Sequence, residues 1–464
     1  MSKTFRPWQI DEPLLFPPCA QDFVGEGHLA GFVVGLVVEH LDLREIEGAY
    51  GSERGQPPFH PAMMTALLLY AYCNGVHSSR RIAKASRERV DFMSVVGLDA
   101  PDFRTVSDFR KRHLKPLAGL FTQVLKLCEQ AGLAKLGHVA LDGTKIKANA
   151  SKHKAMSYER MEKAEKELAA EVQALLAEAA RVDAEEDGKY GKGKRGDELP
   201  KELARRESRL EKIREAKAAL EQEAREAAEK KQAEVAAQLK EREKQEGERG
   251  RKFGGRPPQA PDAEEAKPEP QAQRNFTDPE SRIMKDGATK EFVQAYNAQA
   301  AVDSQAQVIV GAAVTQEAND KKQLVPMLKE VKAQMGRPPR QVTADNGYFS
   351  EANVTDAQLQ EIDLFVAPDG QKHGEKPPAT TGPPPSDASV AEQMRHKLRT
   401  AEGQAVYKLR KAVVEPVFGQ IKEARGFRRF LLRGLEKVQA EWQMICATHN
   451  LLKLFRSGWS PQRA

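Results

Sequence analysis

Apolar positions recur at helical spacing through residues 29–38, 61–73, 82–96 and 117–127, so residues 1–135 read as a mostly helical domain. Pro61 suits a helix start, and Ser79 and Thr105 are placed to cap helices; the second would carry Arg110, Lys111 and Arg112 on its outer side. The period then changes. His138-Val139-Ala140-Leu141 is a short continuous apolar run ending at Asp142, which predicts a buried strand within 136–154. From Ala155 onward Met161, Leu168, Leu175 and Val182 stand seven apart, and after the Gly-rich stretch 185–196 so do Leu203 and Leu210, then Ile213, Leu220 and Ala227. Two heptad helices about a Gly-rich turn predict an antiparallel coiled-coil hairpin within 155–272, whose end, 247–272, reads as disordered linker.

Strand patterns return at 292–301 and 307–314, joined by Asp303-Ser304. A helix at 324–334 follows, then strands at 341–345 and 362–367, a Pro/Gly-rich loop at 368–389, and a helix containing Glu415. Glu415 precedes Pro416, which places it near a helix start. This order predicts an α/β fold with a mixed sheet, divided into a helical domain (1–135), a first strand (136–154), an insertion (155–272) and the rest of the sheet domain (273–464).

Composition narrows the class. Of 464 residues 30% are charged and 6% aromatic, as expected of a soluble protein with long polar helices. The net charge of +6 is modest, but its distribution is uneven: residues 78–115 hold ten Lys/Arg against five Asp/Glu, and 408–437 hold nine against three. Clustered basic surface is what a phosphate backbone requires. Cys19, Cys73, Cys128 and Cys446 are too scattered for a zinc site and read as reduced thiols of a cytoplasmic protein. No apolar run is long enough to span a bilayer, and the N-terminus lacks a secretory h-region.

Three acids carry the candidate chemistry. Asp142 ends one strand and precedes Gly143-Thr144-Lys145; Asp345 ends another and precedes Asn346-Gly347-Tyr348; Glu415 lies on a basic helix. Two carboxylates at strand exits and one on a helix suit two Mg²⁺ or Mn²⁺ ions acting on a phosphodiester. Taken singly, each has a plain alternative. Asp-Gly is an ordinary turn, and an acid at a helix start is favourable without metal.

The chain resembles the bacterial DDE insertion-sequence transposases with an InsH-type N-terminal domain, through Leu141-Asp142-Gly143-Thr144, Ala344-Asp345-Asn346-Gly347-Tyr348 and the run from Tyr407 to Lys422. The resemblance covers most of the chain outside 155–270 and 368–390. It implies an RNase H-like catalytic domain in which Asp142, Asp345 and Glu415 hold two metal ions. It also implies that Tyr407, Arg410 and Lys422 contact the DNA end. One departure is visible: four residues, not three, separate Arg410 from Glu415, which leaves the roles of Arg410 and Lys411 open. Arg425, Arg428 and Arg429 would extend the phosphate track. The segment 78–113 resembles a helix-turn-helix, with Arg80, Arg81, Arg110, Lys111 and Arg112 as DNA contacts; its alternative is a bundle with solvated basic faces.

The implied function is cleavage and strand transfer of double-stranded element ends by a homodimer or higher oligomer. A catalytically silent DNA-binding relative and a plain metal-dependent nuclease are the competing readings. The insertion would either bridge subunits, with its basic tip on DNA, or act as a spacer. His449-Asn450, amid Trp442, Ile445, Leu451 and Leu452, reads as a satisfied core pair.

Overall fold

The computed structural model describes residues 22, 24–51, 57–190, 201–251, 254, 256, 258–287, 289–370 and 378–459, with the side chains of 178–180, 182–190 and 201–204 excepted. It forms two compact units: one comprises the chain up to Ile146 and from Asn297 onward, the other Lys147–Tyr296.

The first unit begins with helices α1 (Leu29–Glu39), α2 (Arg44–Glu47), α3 (Pro61–Cys73), α4 (Ser79–Glu88), α5 (Val90–Val96), α6 (Phe103–Arg112) and α7 (Leu114–Gln130). Pro61 occupies the first turn of α3, as expected, and His60 caps it by accepting from the Ala62 N–H. The other two caps sit elsewhere. Ser78, not Ser79, precedes α4, and Asp102, not Thr105, caps α6 by accepting from the Thr105 N–H at 2.7 Å. The expected long helix over 82–96 breaks at Arg89, whose extended backbone separates α4 from α5, and the left-handed Gly97 ends α5.

The sheet of this unit is built on β1 (His138–Lys147). In the second unit follow β2 (Ala155–Ser157), α8 (Tyr158–Tyr190), α9 (Lys201–Arg249), β3 (Gln273–Asn275) and β4 (Arg282–Lys285). The chain then returns through β5 (Phe292–Asp303), β6 (Val308–Thr315), α10 (Leu324–Met335), β7 (Gln341–Ala344), α11 (Glu351–Val354), β8 (Asp363–Val366), α12 (Val390–Arg399), α13 (Ala401–Gly419) and α14 (Leu435–Arg456). The strand order is β6-β5-β1-β7-β8. β6 runs antiparallel to β5, whereas β7 is parallel to β1 and to β8. The fold is mixed α/β.

α14 escaped the sequence reading, yet it anchors this sheet. Trp442 is fully buried and donates its indole N–H to the Gln299 carbonyl at 2.9 Å. Asn450 exchanges two hydrogen bonds of 2.8 Å with the backbone of Ile309, and Gln439 accepts from the Val314 N–H at 2.6 Å and donates to the Ala312 carbonyl at 2.9 Å. Two amide side chains thus satisfy the outer edge of β6, which has no strand partner on that side among the described residues. His449 Nε2 lies 3.0 Å from the Gln307 carbonyl, so His449-Asn450 is a satisfied core pair.

In the second unit, Tyr158, Met161, Leu168 and Val172 of α8 pack against Leu210, Ile213, Ala216 and Leu220 of α9. Tyr158 bonds Glu221, Glu165 pairs with Arg214, and Glu171 with Arg206, so the helices run antiparallel. The expected seam positions Val182 and Leu203, and most of the Gly-rich turn, lie outside the described side chains. The described part of the expected linker packs back on the helices: Gln232 donates to the Pro261 carbonyl, and Tyr158 N–H to that of Ala272.

Cys73, Cys128 and Cys446 are buried free thiols, and Cys19 lies outside the described residues. No helix among the described residues is long and apolar enough to cross a membrane.

Candidate active site

The parallel pairing of β1 with β7 sets the two aspartates side by side. Ala140 faces Thr343, and two residues further along each chain stand Asp142 and Asp345. Side chains alternate faces along a strand, so both carboxylates project from the same face as His138 and Thr343, whose side chains touch at 3.1 Å. Asp345 stands at its strand exit as expected and caps the turn Asn346–Tyr348, accepting from the Gly347 N–H at 2.8 Å. Asp142 does not end its strand, because β1 continues to Lys147.

Burial and the neighbouring negative charge of Asp345 push the Asp142 carboxyl up to about 7. Asp345 is also held above the usual carboxylate range, chiefly by burial. Arg410 of α13 opposes both shifts, with its guanidinium 4.0 Å from the Asp142 carboxylate. Among the described residues its Nε is buried without a hydrogen-bond partner, and the guanidinium lies over the Tyr407 ring, 5.8 Å from its centroid. Lys422 reaches β1 just beyond Asp142, donating to Thr144 Oγ1 at 3.1 Å and to the Lys145 carbonyl at 3.3 Å. It sits in a π-helical turn, Gln420–Ala424, that continues α13.

Glu415 lies between Arg410 and Lys422 in sequence, exposed in the last turns of α13. The expectation of a helix start there is corrected, since α13 runs through Pro416. Proline leaves the carbonyl four residues earlier without its donor; that carbonyl, of Ala412, accepts from Gln307 Nε2 at 3.2 Å instead. Among the described residues Glu415 has no hydrogen bond or ion pair, and no group of three His, Cys, Asp or Glu side chains converges tightly enough to hold a metal ion.

Asp320, which the sequence reading missed, lies beside the aspartate pair. Its carboxylate accepts from Asn297 and Gln299 of β5 at 2.6 Å each and approaches Lys145 at 3.9 Å. Gln299 in turn accepts from the buried Tyr348 hydroxyl. This crowding explains Gly143: a Cβ there would stand 2.4 Å from Gln299 Nε2 and 2.6 Å from Asp320 Oδ1. No local pattern marks Asp320, which sits in the polar loop before α10.

Two of the expected DNA contacts are buried. Arg110 is buried and donates to Tyr72 Oη, the His77 carbonyl and Ser79 Oγ at 3.0–3.1 Å. Arg425 is buried against Thr448, with its Nη1 2.9 Å from Oγ1, and burial lowers its pKa to about 10. Arg80, Arg81, Lys111, Arg112, Lys411, Arg428 and Arg429 are exposed, although Arg428 is paired with Glu423 and Arg80 lies over the Phe103 ring.

A family model described as a transposase DDE domain matches residues 383–455, the stretch that supplies Tyr407, Arg410, Glu415 and Lys422. A second, described as a transposase domain of the DUF772 type, matches residues 19–112. Together they indicate an insertion-sequence DDE transposase. Neither match reaches Asp142 or Asp345, so the transposase assignment and the aspartate geometry are independent observations. No curated protein and no solved structure matches the chain.

Proposed function

We propose that this transposase binds the inverted-repeat ends of its element, cleaves the DNA and joins the freed ends to a target. The observation that carries this reading is the Asp142–Asp345 pair, set by strand register and flanked by Tyr407, Arg410 and Lys422 of the matched segment. The strand order β6-β5-β1-β7-β8, with β6 antiparallel to β5 and β7 parallel to β1 and β8, supports an RNase H-like sheet. The packing of α8 on α9 supports a coiled-coil hairpin, which would assist pairing of two or more subunits on DNA.

The donors fit Mg²⁺ or Mn²⁺. Asp142 and Asp345 offer hard oxygens, and the burial and neighbouring negative charge that raise the Asp142 pKa are what a divalent cation would offset. They would hold two ions together with Glu415, which lies between Arg410 and Lys422 in sequence. Metal bound there would supply Lewis-acid activation of a water or 3′-hydroxyl and charge compensation at the departing oxygen. Arg410 counters the carboxylate charge before the substrate arrives, and Lys422 lies against the β1 segment beside Asp142 to meet a phosphate. Arg80, Arg81, Lys111, Arg112, Lys411, Arg428 and Arg429 supply exposed cations for double-stranded DNA, and the reaction belongs in the bacterial cytoplasm.

The test is Mg²⁺-dependent cleavage of DNA carrying the repeats that flank the gene, with Asp142→Asn alongside. Cleavage at the repeat boundary with joined products, lost in the variant, is expected. Cleavage retained in Asp142→Asn would remove the proposed site, and end binding without cutting in Mg²⁺ or Mn²⁺ would favour a silent DNA-binding protein.

A further inference from the structure

The second unit contains a cavity of about 690 Å³ that the catalytic reading does not use. Six basic side chains line it: His153, Lys154, Arg160, Arg205, Arg209 and Lys212. Arg205, Arg209 and Lys212 stand at successive helical spacings on one exposed stripe of α9. Lys154 is fixed opposite by the hydrogen bond from the Phe276 N–H to its carbonyl at 3.0 Å, and by the pairing of β2 with β3.

What sets the cavity apart is that its cations converge on one place. Several cations of the same unit are instead ion-paired: Arg206 with Glu171, Arg214 and Lys217 with Glu165, and Arg274 and Arg282 with Glu223. Among the described residues none of Lys154, Arg160, Arg205, Arg209 and Lys212 is ion-paired, so five like charges face one cavity. That arrangement costs free energy unless a polyanion occupies it. The floor is apolar, formed by Met156, Ile213 and Phe276 against the α8–α9 core, and Ser208 and Thr277 add hydroxyls at the wall. A cationic rim over an apolar floor with an aromatic ring suits a nucleic-acid strand better than a small free anion.

We propose that this cavity binds the phosphodiester backbone of DNA, making the insertion a second DNA-contacting surface; the inference rests on the reading of the protein as one that acts on DNA. The same chemistry is offered by a duplex and by a single strand, and the experiment separates them. Full-length protein is titrated with labelled duplex and labelled single-stranded DNA of the same sequence over a range of salt. The variants are Arg205→Ala/Arg209→Ala/Lys212→Ala and, with equal charge loss along the exposed remainder of α9, Lys230→Ala/Lys231→Ala/Lys240→Ala.

The first triple variant is expected to flatten the plot of log affinity against log salt by about 2–3 on the DNA form that the cavity holds, at ~0.9 per duplex phosphate contact or ~0.7 for a single strand. The second is expected to bind as the unsubstituted protein does. Arg209→Gln alone repeats the test with minimal disturbance, at about one unit of slope or slightly less. Equal binding by the first triple variant and the unsubstituted protein on both DNA forms overturns this inference and leaves the functional reading standing. Equal losses in both triple variants overturn it as well, by assigning the effect to overall charge. Failure of the unsubstituted protein to bind either DNA overturns both readings together.

Discussion

Arg410 Nη1 stands 4.0 Å from the Asp142 carboxylate, across the interval between α13 and the central strand β1. Both side chains are largely shielded, at 12% and 20% exposure, so their attraction is less screened than a surface pair's. Removing the cation in Arg410→Ala leaves Asp142 facing Asp345 and Asp320 with less compensation. The Asp142 pKa should then rise further above about 7, and the acid limb of metal-dependent cleavage should move up by about one pH unit. A pH–rate profile in Mg²⁺ checks this, and an unmoved limb would show that Arg410 does not govern the site's charge.

Asp142→Asn should stabilise the protein at neutral pH. Its carboxyl ionises near its ordinary value of 3.8 when unfolded and at about 7 when folded. The folded state therefore keeps a proton that the unfolded chain has lost, and stability falls as pH rises from about 4 to about 7, levelling off above. The gain from the amide should be on the order of 1–3 kcal/mol at pH 8 and near zero at pH 4. Urea midpoints at the two pH values measure it; a gain confined to pH 4 would reverse the sign and refute the assignment.

Glu415→Gln should separate stability from catalysis. The side chain is exposed and unpaired among the described residues, so the substitution should change stability by less than about 0.5 kcal/mol. If Glu415 is the third acid, cleavage should nevertheless fall at least about 100-fold while DNA binding holds. Full activity in this variant would pass the third position to another group, Asp320 being the nearest acid to the pair.

Asp320→Ala should be costly in its own right. It strips Asn297 and Gln299 of their shared acceptor, and those β5 amides are buried. Asn297 keeps the Glu317 carbonyl at 3.2 Å, so Gln299 is the amide left stranded and a loss of about 1–3 kcal/mol is expected. A melting profile that matches the unsubstituted protein would mean that water replaces the carboxylate.

Asn450→Ala tests the covered sheet edge. It would leave the Ile309 N–H and C=O of β6 without their partner inside a buried contact. Destabilisation of about 2–4 kcal/mol is expected, together with faster amide exchange at Ile309. Unchanged exchange there would assign the protection of β6 to packing alone.

The parts of the molecule legible in its sequence are those encoded by local period. The helices at either side of Pro61, the apolar run before Asp142 and the strands around Asp303 all fell where the spacing put them. What escaped depends on partners far along the chain. Arg110 looked like a surface cation because its acceptors, Tyr72, His77 and Ser79, lie more than thirty residues away. Arg425 was misplaced for the related reason that Thr448 of α14 encloses it. Asp320 carries no turn or strand signal, and only the folded sheet brings it to Asn297 and Gln299. Pro416 pointed to a helix boundary, yet Gln307 supplies a donor to the carbonyl that the proline leaves open, and the helix continues.

The pairing of β1 with β7 has a consequence for how the protein is made. Val139 must wait for Val342, and the whole of the second unit is synthesised between them. At ~5–20 residues per second the ribosome takes ~10–40 s to cover that distance. Throughout this interval the apolar strand before Asp142 has emerged without its neighbour. The nascent chain is therefore open to misassociation at this point, and a holdase that shields this strand during translation should raise the yield of folded protein more than any help given after release.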